Sequence, residues 1–214
     1  MHSHRHGPAT TGRTIHWARW YDAVTGLLLF GAERPSRTVA LELAGLKAGD
    51  RVLDLGCGTG NLALAAKAIS GPQGEVYGID AAPEMIDVAR QKAARAGVAV
   101  DFRVALAEAL PFPAAYFDVV VSRLVLHHLP AELQRTAFAE VCRVLRPGGG
   151  FAALDFAAPQ SPLLRALATA LVGHEMLRSS IAALPPVLTA AGFRDVEFGP
   201  TGYRMLSFIR GWKP

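Results

Sequence analysis

The sequence is short of cysteine, of net charge and of long apolar runs, and each shortage excludes a class of protein. Cys57 and Cys142 are the two cysteines among 214 residues. Two are too few for a disulfide framework or a four-thiolate zinc site, and they read as reduced thiols. Charged residues make up 19%, and Lys plus Arg exceeds Asp plus Glu by 22 to 18, a net charge of +4. The basic residues are spread along the chain with no stripe or run, so nucleic acid is not an expected partner. The longest apolar stretches, such as Ala23-Val24-Thr25-Gly26-Leu27-Leu28-Leu29-Phe30, fall well short of the about 20 residues that span a bilayer. The opening Met1-His2-Ser3-His4-Arg5-His6 leads into no apolar segment, so no secretory signal is read and a cytoplasmic location is expected. No His/Cys/Asp cluster has metal-ligand spacing, and no metal is expected.

What is present is apolar matter enough for one domain. Hydrophobic residues make up 51%, too many for a disordered chain. From about residue 50 onward, short β-rich runs alternate with longer stretches of helical spacing. Strands are predicted at 51–55, 75–80, 99–104, 117–122, 150–156, 194–198 and 203–209, and helices at 61–69, 83–96, 132–145 and 180–191. Unbroken apolar runs such as Val119-Val120-Val121 suit strands buried on both faces. The alternation predicts a doubly wound α/β domain with helices on both faces of the sheet. Ala82-Pro83-Glu84 marks a helix start, and Arg146-Pro147-Gly148-Gly149-Gly150 a helix stop before the next strand. The predicted division is a disordered tail at 1–12, a helical cap at 13–46 and the α/β domain at 47–214, with a helical insertion at about 157–179.

The strongest local signal is Val52-Leu53-Asp54-Leu55-Gly56-Cys57-Gly58-Thr59-Gly60-Asn61. A buried strand enters three glycines at alternate positions and a helix follows. The spacing is Gly-x-Gly-x-Gly, which departs from the dinucleotide pyrophosphate fingerprint. Asp54 also puts negative charge where a pyrophosphate would be repelled, and suits a ligand with a cationic amine. Asp80 ends the second strand, twenty residues beyond Gly60, where a carboxylate can accept from both ribose hydroxyls. An amine, a ribose and no phosphate describe S-adenosyl-L-methionine.

At these residues the sequence resembles the class I S-adenosylmethionine-dependent methyltransferases. Residues 52–60 resemble motif I, and Tyr77-Gly78-Ile79-Asp80-Ala81-Ala82-Pro83-Glu84-Met85 the acidic motif after it. The likeness continues through Glu108-Ala109-Leu110-Pro111-Phe112-Pro113, Phe117-Asp118-Val119-Val120-Val121-Ser122, Leu126-His127-His128-Leu129 and Glu140 to Gly150, covering about residues 50–156. Tyr21-Asp22 before Phe30-Gly31 resembles the start of the ubiquinone/menaquinone biosynthesis C-methyltransferase branch. The resemblance implies a Rossmann-like seven-stranded sheet whose final strand is antiparallel. It implies that Gly56, Cys57, Gly58 and Gly60 line the methionine moiety, with Asp54 on its amine and Tyr21 over it. Asp80 falls to the ribose, Met85 to the adenine face, Ala107 and Glu108 to the adenine edge, and Ser122 to the end of the pocket, with Ala81 also among the cofactor-binding residues. Leu106 stands where many members carry an Asp that accepts from the adenine amine.

For the chemistry, positioning for an in-line displacement does most of the work, and a base is needed only where the acceptor keeps its proton. His127 and His128 are the candidate catalytic residues, because imidazole titrates near neutrality; loop ordering and packing are the competing roles. Trp17, Trp20, Tyr21, Val24 and Leu28 recur at helical spacing, and residues 13–33 are expected to form a lid. The run 162–172 reads as a helix packed on the domain, or one touching an apolar substrate or membrane surface. Cys57 has no dedicated base and is not read as a nucleophile. The expected function is methyl transfer to a small apolar or aromatic acceptor, giving S-adenosyl-L-homocysteine, by a monomer or homodimer. A non-catalytic domain that binds the cofactor or its product, and a phospholipid or macromolecule methyltransferase, stay open as alternatives.

Overall fold

The apolar runs of the sequence become the strands of one mixed sheet. The computed structural model describes residues 10, 12, 18–29, 31–156, 181–203 and 206–214. In chain order these form α1 (Ala18–Leu28), α2 (Glu33–Leu43), β1 (Arg51–Leu55), α3 (Asn61–Ser70), β2 (Glu75–Asp80), α4 (Pro83–Ala96), β3 (Asp101–Val104) and β4 (Phe117–Arg123). There follow a single 3-10 turn (Leu126–His128), α5 (Ala131–Val144), β5 (Leu145–Phe156), a second 3-10 turn (Ile181–Ala183), α6 (Pro185–Ala190), β6 (Arg194–Pro200) and β7 (Leu206–Trp212). The insertion expected at 157–179 lies outside the described residues.

The seven strands stand in the order β3-β2-β1-β4-β5-β7-β6. The first five are parallel, and β7 runs antiparallel to both β5 and β6. The order reverses between β1 and β4, which opens a crevice at their carboxyl ends where ligands of open α/β sheets bind. Burial follows the strand period of two. Leu53, Leu55, Val120 and Ala153 face a layer with Phe138, Val141 and Phe193, while Val52, Val119, Val121 and Leu154 face Leu41, Ala63, Ile86 and Phe102. Both faces are therefore apolar, which is why Val119-Val120-Val121 shows no alternation in sequence.

Punctuation residues set the helix ends. Pro83 opens α4 with Glu84 in its first turn, and Gly97 closes it in the left-handed region at φ 64°. Two boundaries differ from the sequence reading for identifiable reasons. The helix expected over 180–191 divides into the 3-10 turn and α6, because Pro185 and Pro186 have no N–H to continue a helix but can begin one. The segment 145–149, read as a stop before a strand at 150, already belongs to β5. Its glycines pair with the chain end, Gly148 N donating to Lys213 O at 2.8 Å and Lys213 N to Gly149 O at 3.0 Å.

Candidate active site

The site begins where β1 leaves the sheet. Gly56, Gly58 and Gly60 all hold positive φ, at 71°, 51° and 83°. At two of them packing also forbids a side chain. A Cβ on Gly56 would lie 2.4 Å from Val125 Cγ2 in the loop after β4, and one on Gly60 would lie 2.7 Å from Phe102 Cζ and 3.0 Å from Ala89 Cβ. Gly56 thus lets two loops of the crevice meet, and Gly60 lets α3 sit against α4 and β3.

Two carboxylates flank this turn. Asp80 is clamped by the backbone: Gly58 N donates to its Oδ2 and Ala82 N to its Oδ1, each at 2.9 Å. Burial pushes its pKa up, and these two bonds partly offset the rise. Asp54 is fully buried on β1 behind the loop and accepts from the Ala63 backbone in the first turn of α3. Burial pushes Asp54 up to about 7, the nearby Asp80 adds to the rise and Arg123 opposes it. Its Oδ2 is buried with no hydrogen-bond partner. Burial likewise pushes the Cys57 thiol far up, so it is held protonated and unreactive.

Two cavities open on the crevice. The larger, of about 690 Å³ including its open mouth, is lined by Tyr21, Gly56, Gly58, Asp80, Ala81, Met85, Ala107, Glu108 and His128 among others. The smaller, of about 360 Å³, holds Asp54, Cys57, Thr59, Arg123 and Glu33. Tyr21, Gly56 and Gly58 line both and stand at their junction. Three of the candidate residues from the sequence line neither. Gly60 faces Phe102. Ser122 is buried and donates to Leu55 O at 2.8 Å, tying β4 to β1. His127 is held behind the pocket wall: its Nδ1 lies 2.6 Å from Asp155 Oδ1, its backbone N donates to Asp155 Oδ2 at 3.1 Å, and its side chain is 5% exposed. The His128 ring, 4.0 Å from that of His127, lines the larger cavity with Val125 and Leu129.

Helix α1 closes the glycine loop from above through Asp22. Thr59 Oγ1 donates to Asp22 at 2.6 Å and Asn61 Nδ2 at 3.0 Å, while Lys92 of α4 forms an ion pair with the same carboxylate. These bonds hold the Asp22 pKa below its ordinary value against burial. Tyr21 is one residue away, and burial pushes its phenol up to about 12, so it stays neutral at physiological pH. Asp22 thus ties α1 to the glycine loop and to α4. Amide exchange across 18–29 is expected to slow on cofactor binding, and Asp22→Ala to speed it in the free protein. Exchange by mass spectrometry checks this, and equal rates with and without ligand would count against a lid.

Sequence reasoning missed Arg123, Glu33, Asp155, Thr10 and Lys92. Arg123 and Asp155 each carried a readable signal, a charge at the carboxyl end of a strand just after its apolar run. Thr10 donates to Glu108 Oε1 at 2.9 Å and lines the larger cavity, from a segment with no local pattern. Among the described residues no group of three or more His, Cys, Asp or Glu is placed to hold a metal, and no helix is long and apolar enough to cross a membrane.

A seven-stranded sheet of this order, with an acid-flanked glycine turn at its switch point, defines a class I S-adenosylmethionine-dependent methyltransferase domain. Comparison with known proteins agrees with that fold: residues 52–149, somewhat under half of the chain, match a methyltransferase domain family. The chain is 44% identical over 139 residues to the demethylmenaquinone methyltransferase of Thermus thermophilus, covering 65% of this chain and 62% of that protein. It is 39% identical over 146 residues to the ubiquinone/menaquinone biosynthesis C-methyltransferase of Ectopseudomonas mendocina, covering 67% and 56%. Both relatives are quinone-biosynthesis methyltransferases by name, the branch that the start of the chain resembles. The aligned stretch spans about three fifths of their length. A SAM dependent methyltransferase from Aquifex aeolicus, 23% identical, shares the fold at a TM-score of 0.70 over 91% of this chain and 95% of that one.

Proposed function

We propose that the protein transfers a methyl group from S-adenosylmethionine to a small apolar or aromatic acceptor of quinol type. The observation that carries this reading is the meeting of two cavities at Tyr21, Gly56 and Gly58, with Asp54 in the smaller and Asp80 and Met85 in the larger. The residues fit the cofactor. Asp54 offers a buried, unpartnered oxygen to an ammonium, and the clamped Asp80 turns its remaining lone pairs to the ribose hydroxyls. Buried Met85 and the loop residues Ala81, Ala107 and Glu108 bound the adenosine side. Bound there, the cofactor supplies a sulfonium-activated methyl group for a single displacement. Beside the junction Leu124, Val125 and Leu129 make the acceptor wall apolar, and His128 is the one titratable side chain of the loop after β4 on that wall. Asp155 fixes His127, which in turn packs against His128. The names of the two relatives, demethylmenaquinone and ubiquinone/menaquinone biosynthesis methyltransferases, support a quinol-type acceptor.

Methyl-labelled cofactor offered with a panel of reduced quinone analogues and simple phenols tests the proposal. Label in a quinol-type product supports it. Cofactor binding with no transfer to any acceptor would favour the non-catalytic alternative. Trp20 and Val24, 70% and 37% exposed on α1, support a peripheral contact with a lipid surface that stores such acceptors. Co-sedimentation with anionic vesicles, reduced in Trp20→Ala, is the expected result; equal sedimentation of the two proteins would remove that contact.

The raised pKa of Asp54 gives a pH dependence of definite sign. In the free protein the neutral carboxyl is favoured, so its contribution to stability is present at low pH and lost as pH rises through about 7. An ammonium ligand reverses the preference and binds the ionised form. An α-amino group stays cationic to about pH 7.7, so affinity is expected to rise from about pH 6 to about pH 7.5. Asp80 and Arg123 are the charged groups that act on Asp54, and both remain in Asp54→Asn. That variant should bind more weakly with a flat profile, as calorimetry at several pH values will show; an unchanged slope would refute the assignment.

A further inference from the structure

Arg123 ends β4, where its side chain is 10% exposed. A guanidinium so placed is costly unless its donors are met. Its Nε donates to Ser36 Oγ at 3.1 Å, and its Nη1 lies 3.7 Å from Glu33 Oε1. The same Glu33 oxygen accepts from Arg37 Nη1 at 3.1 Å. One carboxylate thus serves two guanidinium groups, and the cluster keeps a positive charge. Arg123 Nη2 is buried with no hydrogen-bond partner.

The smaller cavity lined by Arg123 also holds Asp54, whose Oδ2 is likewise buried and unpartnered. An orphaned carboxyl oxygen and an orphaned guanidinium nitrogen therefore share one small space floored by the glycine loop and by Asn61 and Leu62 at the start of α3. An α-amino acid is the ligand chemistry that satisfies both, its ammonium on Asp54 and its carboxylate on the guanidinium fork. We infer that Arg123 receives the α-carboxylate of the cofactor's methionine end, so that Arg123 and Asp54 together read a zwitterion. This rests on the cofactor occupying both cavities as proposed above. A carboxylate could also belong to the acceptor, but Arg123 does not line the larger cavity where the acceptor wall stands.

The test is calorimetric titration of the full chain with S-adenosylmethionine and with its decarboxylated analogue, for wild type, Arg123→Gln and Arg123→Lys. Wild type is expected to bind the analogue roughly 10-fold to 100-fold more weakly, the range for a charge-assisted contact to a carboxylate. Arg123→Gln should weaken the intact cofactor by a similar factor and leave the analogue unchanged, so that discrimination collapses. Arg123→Lys keeps the charge without the fork and should fall between. Equal affinity of wild type for the two ligands would overturn the inference without any variant, as would a variant that weakens both ligands alike. If Arg123→Gln does not fold, the wild-type and Arg123→Lys ratios decide. Intact discrimination in the variants with a raised KM for a carboxylated acceptor would assign Arg123 to the acceptor and also overturn it. Failure of wild type to bind either ligand would strike at the cofactor site itself, a separate result.

Discussion

Asp80→Ala is expected to weaken cofactor binding by about 100-fold or more. Hydrogen bonds to a charged carboxylate are worth about 1.5–3 kcal/mol each, and in the proposed site this one accepts from two ribose hydroxyls. The side chain also fixes the shape of the site, since Gly58 N and Ala82 N both donate to it. Alanine leaves those donors without their acceptor, so the glycine turn keeps its backbone bond from Cys57 N to Ile79 O but loses its side-chain tie to β2 together with the proposed ribose contact. Asp80→Asn keeps the volume and one acceptor oxygen, and should lie between the two. Calorimetry reads the affinities and circular dichroism checks the fold. An affinity of Asp80→Ala within threefold of wild type would show that the ribose is held elsewhere.

Gly60→Ala is expected to cost stability. The residue holds φ 83° as the N-cap of α3, a left-handed conformation that costs a residue with a Cβ about 1–2 kcal/mol. The added methyl also meets Phe102 Cζ at 2.7 Å and Ala89 Cβ at 3.0 Å, and overpacking of this kind costs about 1–3 kcal/mol. Together these lower stability by about 2–5 kcal/mol, which for a domain of this size is a fall in Tm of roughly 5–15 °C. Gly60 lines neither cavity, so the loss should appear without any ligand present. A Tm within 2 °C of wild type, read by thermal denaturation, would mean that α3 can shift away from Phe102 at no cost.

The contrast between Gly60 and Gly58 shows how far the sequence could be read. All three glycines announced a tight turn, but spacing alone cannot separate a glycine that faces a ligand from one that lets two helices touch. That distinction depends on Ala89 and Phe102, about thirty and forty residues away in the chain. Ser122 is a similar case, since its hydroxyl is consumed by Leu55 O across the sheet. The strands, the switch point and the two flanking acids were legible because they are local patterns: apolar runs, glycine spacing and a carboxylate at a strand end. The bonds of Asp22 and the surroundings of Arg123 were not, because each is assembled from elements far apart in sequence. The pair His127-His128 read as two equal candidates, and only the fold turns one to Asp155 and the other to the cavity.

A structure with S-adenosylhomocysteine bound is the most direct test of the proposed site. Adenosine is expected in the larger cavity between Met85 and the loop 105–108, the ribose hydroxyls on Asp80, and the amino-acid tail in the smaller cavity between Asp54 and Arg123. The sulfur then lies at the junction beside Tyr21, facing the wall of Val125, His128 and Leu129. A tail directed toward His128, with Asp54 and Arg123 left untouched, would contradict it.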